Sequence, residues 1–326
     1  MSSSQQHAGI LGIGSYAPER ILTNDDLTKI VDTSDEWIVS RTGIKERRIA
    51  RDDEYTSDIA TQAALRAIED AGLTPEDIDY VLLGTASPDN PFPNTAAWVC
   101  KNLGLMDTPA LDVSTACSGF LFCLELATGL VESGRYKNVL AIGAEKLSSI
   151  VDYTDRTTCV LFGDGSGAAL VGMGGHRIHQ TRCATDFNYD ALYIEAGSRC
   201  PVTKDSKGNG SHLIRMNGRE VYRFVVSKAV TLMEECFERA GISAEDIDLF
   251  VPHQANLNML EFLVKRLEIP AEKMMVNIQK FGNTSSASVP IALDQAYREG
   301  RLKKGDKVLL LAFGGGLSSG YALVEW

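Results

Sequence analysis

The chain has 326 residues, 44% of them hydrophobic and 23% charged, with 29 glycines and 10 prolines; a small disulfide- or metal-stapled scaffold, a disordered chain and a collagen-like or coiled-coil rod are excluded. Its 32 basic against 43 acidic residues leave a net charge of −11, which opposes nonspecific binding to nucleic acid or to anionic membranes. The N-terminal MSSSQQHAG lacks the basic start and apolar stretch of a secretion signal, and no segment reaches the ~20 apolar residues of a membrane span, so a cytoplasmic location is expected. The seven cysteines, at 100, 117, 123, 159, 183, 200 and 236, are odd in number and form no Cys-x-x-Cys pair; free thiols are expected, and no zinc site.

Along the chain, Gly12-Ile-Gly-Ser-Tyr-Ala17 lacks the third glycine of a dinucleotide fingerprint and meets Pro18 where a helix should begin. Lys45–Arg48 is a basic run expected on solvated surface. Thr56–Asp70 has the apolar spacing of a helix, and Tyr80–Leu83 reads as a buried strand. The block between them, Ala71-Gly-Leu-Thr-Pro-Glu-Asp-Ile-Asp79, returns 169 positions later as Ala240-Gly-Ile-Ser-Ala-Glu-Asp-Ile-Asp248, identical at six of nine places. Ala110–Phe120 reads as strand, small-residue turn and the start of a helix over Phe120–Glu132, which puts Cys117 near a helix N-terminus. Backbone N–H groups and the positive end of the helix dipole there lower a thiol pKa, so Cys117 is the candidate nucleophile, with Gly119 leaving room for a substrate. Cys100, Cys123 and Cys236 fall in apolar helical patterns and are expected to be buried.

Ser133–Gly143 and Glu299–Leu309 are a looser match of the same kind, each a helix end, a basic turn and a strand. Gly163-Asp-Gly-Ser-Gly167 lacks the Lys-Ser/Thr of a P-loop. A Gly-rich seam at Val171–Gly175 divides the chain into 1–174 and 175–326. Two similar α/β halves with parallel-rich sheets covered by helices are expected, related by a pseudo-twofold axis, with a site where matching loops meet.

In the second half Tyr222–Arg239 is the counterpart helix and Leu249–Val251 the counterpart strand. His253 follows that strand in Pro252-His-Gln-Ala-Asn256, where open α/β sheets place ligand-contacting groups; by the offset it stands opposite Gly84. His7, His176, His179 and His212 lie in polar or Gly-flanked segments. Lys265 and Arg266 form a second basic run, again expected on the surface. Phe281-Gly-Asn-Thr-Ser-Ser-Ala-Ser288 is a small polar turn before a helix over Val289–Arg298, and the offset brings it to the Cys117 turn. Asn283 is there either an amide donor near the thiol or a helix cap. Val308–Leu317 is a buried strand ending in three glycines whose bare N–H groups suit a substrate oxygen.

Cys117 in Ser-Thr-Ala-Cys-Ser-Gly-Phe, His253, Asn283, the Phe313-Gly-Gly-Gly turn, Asp32–Ile44 and Phe162–Ala168 together resemble the thiolase superfamily, most closely the β-ketoacyl-acyl carrier protein synthase III family, over nearly the whole chain. The resemblance implies a duplicated five-layer αβαβα sandwich, a homodimer and a Cys-His-Asn site, with no metal and no cofactor, acyl-CoA being a substrate. It implies that Cys117 takes the acyl group of a short acyl-CoA, and that His253 and Asn283 stabilise the enolate formed when malonyl-acyl carrier protein loses CO₂. The N–H groups of Cys117 and Gly315 would then hold the tetrahedral oxyanion. Two histidines beside the cysteine would mark the chain-elongating synthases, and a second cysteine near the C-terminus the degradative thiolases; neither is present.

Coenzyme contacts carried over by the resemblance are Trp37, Arg41, Arg156, Gly218, Asn256 and Phe313, and Phe92 in Asn90-Pro-Phe-Pro-Asn94 resembles the residue that closes the acyl pocket from a partner subunit and favours a primer such as acetyl. Carrier-protein contacts carried over are Gln254, Ala255, Asn256, Leu257 and Asn258, with Lys265 and Arg266. The chain departs from the family at Asn258, where an arginine is frequent, at Arg219, where a smaller polar residue is usual, and in a longer loop over Arg199–Ser211. Competing readings are a relative using longer or branched acyl groups, a cysteine hydrolase, against which the absent Cys-Gly-x-Cys-Trp context counts, and a non-catalytic dimer, against which the intact triad counts.

Overall fold

The computed structural model describes residues 7–195 and 212–326; the Arg199–Ser211 loop, Cys200 and the first six residues lie outside the described residues. In chain order the elements are β1 (Ala8–Tyr16), β2 (Arg20–Thr23), α1 (Asn24–Leu27), α2 (Asp35–Thr42), β3 (Glu46–Ile49), α3 (Thr56–Asp70), β4 (Tyr80–Gly84), α4 (Thr95–Leu103), β5 (Ala110–Val113), α5 (Gly119–Glu132), β6 (Val139–Glu145) and β7 (Gly165–Met173). They continue as β8 (His176–Thr185), β9 (Leu192–Ile194), β10 (Ile214–Met216), α6 (Gly218–Ala240), β11 (Leu249–Pro252), α7 (Leu257–Leu267), α8 (Ile278–Phe281), α9 (Ser288–Arg298), β12 (Lys307–Gly314) and β13 (Ser318–Glu325).

The repeated block folds the same way twice. Gly72 (φ 68°) and Gly241 (φ 66°) take the left-handed conformation after α3 and α6; the next N–H, of Leu73 or Ile242, returns to a carbonyl of the last helical turn. Thr74 and Ser243 then cap a short 3-10 turn with Asp77 and Asp246. The sheet order is β11-β12-β13-β8-β1-β7-β6-β4-β5, a palindrome in which β1 matches β8, β7 matches β13, β6 matches β12 and β4 matches β11. At its centre β1 and β8 pair only through Gly9–Arg177 and Ile10–His176. The parallel-rich expectation is corrected to mixed sheets: among the described strands only β4–β5, β4–β6 and β11–β12 pair in parallel. The reason is the connection, since β6 leads to β7, and β12 to β13, without a crossover helix, and such strands return antiparallel.

The buried side chains define five layers. Ala63, Ala67 and Ile68 of α3 and Val99 of α4 cover one face of β4, β6 and β7, and Val225, Leu232 and Met233 of α6 with Leu260 and Leu263 of α7 cover β11–β13. Between the sheets lie α5 and α9, whose Phe120, Leu121, Leu124, Val289, Ala292 and Leu293 join strand residues of both halves in one core; each large apolar side chain buried there contributes about 1.5–3 kcal/mol. Glycines let the middle helices approach closely: a Cβ on Gly84 would lie 2.5 Å from the Gly119 carbonyl carbon, and one on Gly143 2.3 Å from the Ser286 oxygen. Gly119 therefore serves helix-to-strand contact at the pseudo-axis rather than substrate approach.

Of the basic run at 45–48, Arg47 is fully buried, not solvated. Its guanidinium donates to the carbonyls of Leu22 and Val160 and to Asn24 Oδ1, and so ties β3 to β2 and to the chain before β7. No described helix is long and apolar enough to cross a membrane.

Candidate active site

Cys117 lies in a 3-10 turn, Ala116–Ser118, that runs into α5, and the matching turn Ser285–Ala287 runs into α9. Each turn opens on a non-glycine residue with positive φ, Ala116 at 48° and Ser285 at 49°, an uncommon conformation, and the two lie 169 positions apart like the repeated blocks. The strained turn is thus built twice, once presenting the thiol and once following Asn283. At the end of β12 a Cβ on Gly314 would stand 2.2 Å from the Thr115 oxygen, so only glycine lets that strand end close on the Cys117 turn. Ser118 and Ser318 hydroxyls, 2.8 Å apart, both bond to the Thr115 carbonyl and fix its place.

The lowered thiol pKa expected at the helix start is not found. Burial pushes Cys117 up to about 12; a hydrogen bond with the Ser285 side chain works against the rise and the Glu145 carboxyl adds to it. At neutral pH Cys117 is therefore a thiol. His253, immediately after β11, donates its N–H to the Leu311 carbonyl at 2.7 Å, and burial brings its imidazole down to about 4, so the ring is neutral at physiological pH. Its Nδ1 is 3.0 Å from Ser288 Oγ, and that oxygen accepts the Gln254 N–H at 2.7 Å. With the Ser288 hydrogen directed to Nδ1, the ring proton sits on Nε2.

Asn283 is held on three sides: its N–H donates to the Leu161 carbonyl at 2.8 Å, its carbonyl accepts from Gly163 N–H at 3.0 Å, and its Oδ1 accepts from Ser285 N–H at 2.8 Å. The side-chain oxygen closes a local turn on Ser285, while the N-cap of the 3-10 turn is Thr284 and that of α9 is Ala287, so Asn283 is not the helix cap; its NH₂ is left as a donor group.

Cys117, His253, Asn283 and Phe313 line one cavity of about 360 Å³ together with Arg41, Gly218, Asn256, Ala255 and Asn258. A second cavity, of about 320 Å³, shares Cys117, Phe162 and Leu192 with the first and is walled by Ala86, Leu147, Ile194, Ile214, Ser285 and Gly315. The thiol therefore stands where two cavities meet. Trp37 and Arg156 lie beside Arg41 rather than in the cavity lining: the Arg156 and Arg41 guanidinium carbons are 5.5 and 6.0 Å from the Trp37 ring centroid. The side-chain amides of Asn256 and Asn258 both donate to the Arg41 carbonyl, at 2.8 and 3.1 Å, and so anchor the end of α2 that carries Arg41.

Phe92 lines neither cavity and is 89% exposed. Gln254 is corrected as a surface contact: it is buried, its amide donates to the Pro252 and Met275 carbonyls, and its Oε1 accepts Asn277 N–H. Ala255, Asn256 and Leu257 are half-buried, whereas Asn258, Lys265 and Arg266 are exposed. Three neighbours of the site escaped the sequence analysis as such: Ser288, Ser285 and Glu145. Ser285 and Ser288 stand in the quoted turn without a signal for their partners, and Glu145 ends a continuous apolar strand.

The description "3-Oxoacyl-[acyl-carrier-protein (ACP)] synthase III" belongs to the family model that residues 111–187 match, and residues 237–326 match the model of its C-terminal part. The chain is 51% identical over 323 residues to the β-ketoacyl-[acyl-carrier-protein] synthase III of Caldanaerobacter subterraneus, covering 98% of each, and 49% identical over 324 residues to that of Clostridioides difficile, again covering 98% of each. The crystal structure of 3-oxoacyl-[acyl-carrier-protein] synthase III from Aquifex aeolicus superposes with a TM-score of 0.90 at 46% identity, covering 98% of this chain and all of that one.

Proposed function

The chain belongs to the 3-oxoacyl-[acyl-carrier-protein] synthase III family, a condensing acyltransferase of fatty acid biosynthesis, and from that premise we propose that it joins a short acyl-CoA, acetyl-CoA first among them, to malonyl-acyl carrier protein through an acyl-Cys117 intermediate. Cys117 sulfur attacks the thioester carbonyl and coenzyme A leaves, the thiol proton passing to the departing sulfur. The oxyanion of the tetrahedral species is held by the N–H groups of Cys117 and Gly315. Malonyl carrier protein then occupies the first cavity and loses CO₂. His253 Nε2–H and the Asn283 NH₂ donate to the enolate oxygen as charge develops on it, which a neutral imidazole bound at Nδ1 by Ser288 can do throughout the ordinary pH range. The enolate carbon attacks acyl-Cys117, and collapse of that adduct releases β-ketoacyl carrier protein and the thiolate, which takes a proton from water to restore the thiol.

The observation that carries this reading is the meeting of thiol, neutral imidazole and free amide in one cavity. The flanking assignments are those the family resemblance carries over: Trp37, Arg41 and Arg156 for the adenine and phosphates of the coenzyme, Gly218, Asn256 and Phe313 along the pantetheine path, and exposed Asn258, Lys265 and Arg266 for the carrier protein; the clustering of Trp37, Arg41 and Arg156 and the lining of the first cavity by Gly218, Asn256 and Phe313 support them. The second cavity takes the acyl group. We assign a homodimer in which β5, an edge strand, pairs with its copy, since Phe92 and Met106 (88% exposed) stand out on that side and a buried partner would cover them. The partner's Phe92 then closes the acyl cavity and limits the primer. The halves divide at 174/175, between β7 and β8. Cytoplasmic residence is supported by the free thiols at Cys100, Cys117, Cys123, Cys159, Cys183 and Cys236. Separating the half-reactions tests the scheme: His253→Ala should keep acylation by acetyl-CoA and lose decarboxylation of malonyl carrier protein, and equal loss of both would reject the assigned roles.

A further inference from the structure

The end of α2 meets the start of α7 at the rim of the first cavity. The last carbonyls of a helix have no partner within it. In α2 the closing residue is Gly43, left-handed at φ 77°, and its N–H returns to the Val39 carbonyl, so the carbonyls of Ser40 and Arg41 are left over. Both are met from α7. Asn256, the N-cap of α7, accepts the N–H groups of Asn258 at 2.9 Å and Met259 at 3.4 Å on Oδ1, and its Nδ2 donates to the Arg41 carbonyl at 2.8 Å. Asn258 Nδ2 donates to the same carbonyl at 3.1 Å and to that of Ser40 at 3.4 Å. The helix ends are also in close contact, since a Cβ on Gly43 would stand 2.6 Å from Leu257 Cβ. The negative end of one helix dipole thus faces the positive end of the other, a favourable arrangement.

What depends on this junction is Arg41. It is exposed and lines the first cavity, and among the described residues no carboxylate pairs with its guanidinium, whereas Arg156, the other guanidinium at Trp37, lies 3.8 Å from Asp32. The Arg41 head group leans only on the Trp37 ring, one helical turn earlier on α2. Its place is therefore set by where α2 ends, and that end is held by two asparagine amides.

The two amides are not equivalent. A carboxamide has two hydrogens, and a backbone carbonyl can only accept. Asn256 spends one hydrogen on α2 and keeps the other for a ligand. Asn258 directs both to α2, and the atom it has left is Oδ1, an acceptor, which cannot bind an anionic group. We propose that Asn258 is a positioning residue for the coenzyme, fixing the α2 end so that Arg41 faces the phosphates, and is not a donor to the carrier protein. Asn258 thereby leaves the carrier-protein set that the resemblance carries over, and Lys265 and Arg266, in the last turn of α7, stay in it. This rests on the reading of the first cavity as the coenzyme entrance.

The test compares two acyl donors that share the same thioester. The rate of Cys117 acetylation is measured by peptide mass spectrometry on the full-length protein with acetyl-CoA and with acetyl-pantetheine, which lacks the nucleotide and its phosphates, and the ratio of the two rates is the readout. A general loss of folded protein moves both rates and leaves the ratio alone. Asn258→Ala should lower the ratio about 3–10-fold, as loss of one hydrogen bond implies. Arg41→Ala should lower it at least as far, and adding Asn258→Ala to Arg41→Ala should lower it no further, because a residue acting through Arg41 has nothing left to position. An unchanged ratio in Asn258→Ala, or the same further drop when Arg41 is already Ala, would overturn the proposal. So would an unchanged ratio with a raised KM for malonyl-acyl carrier protein, which would return Asn258 to the carrier-protein contacts. Acetylation of wild type by neither donor would instead reject the coenzyme reading itself.

Discussion

Lowering the pH from 8 to 5 protonates the imidazole of residue 253 in the unfolded chain but leaves it neutral in the folded protein, because burial holds the folded pKa at about 4 against an ordinary 6.5. The unfolded state then binds more protons, so this residue's share of stability is whole above pH 6.5, declines as the pH falls, and levels off below about 4. At pH 5 the two values give a loss of about 2 kcal/mol, approaching about 3 kcal/mol at the acid limit. Other groups titrate over the same range, so the quantity to read is the difference between wild type and His253→Gln, by urea denaturation at pH 8 and pH 5 and at one protein concentration, since association also shifts apparent stability. Wild type should lose about 2 kcal/mol relative to the variant between the two conditions. A difference that stays the same at both pH values would refute the argument that His253 is held neutral by burial.

Three further substitutions probe separate parts of the site. Asn283→Ala removes one of two enolate donors and should slow condensation by about 10²–10³-fold while an acetyl-Cys117 adduct still forms; loss of the adduct itself would show that the turn had collapsed. Ser288→Ala leaves Nδ1 of His253 and the buried Gln254 N–H without their partner, which should cost about 1–3 kcal/mol of stability and lower the rate of malonyl decarboxylation more than that of acylation; equal rates in variant and wild type would dismiss the tautomer argument. Gly143→Ala places a methyl 2.3 Å from the Ser286 carbonyl oxygen, and thermal melting should show a destabilisation of at least about 1–3 kcal/mol, an unchanged Tm being the contrary result.

Much of the fold could be read from local signals that tertiary contacts reinforce. The helix over Thr56–Asp70 has the predicted bounds because its apolar spacing faces one sheet and Gly72 ends it. The 169-residue offset located the Asn283 turn opposite the Cys117 turn, and the matching positive φ values at Ala116 and Ser285 are the same repeat seen in the backbone. What escaped was set by contacts distant in sequence. Arg47 sits in a short strand whose pattern gives no sign that its guanidinium will meet Leu22 and Val160 carbonyls. Gln254, next to a half-buried segment, turns inward because Met275 and Asn277 offer partners that lie 21 and 23 residues away. The helix dipole argued for a lowered Cys117 pKa from local geometry alone, and burial between two halves outweighs it.

The central claim is that Cys117 carries the acyl group. Peptide mass spectrometry after brief incubation of the full-length protein with acetyl-, butyryl-, isobutyryl- and octanoyl-CoA, each without malonyl carrier protein, tests it directly. The account predicts an acyl adduct on the peptide containing Cys117, strongest with acetyl-CoA and absent from Cys117→Ala. No adduct from any donor, or the same adduct on the Ala variant, would contradict it.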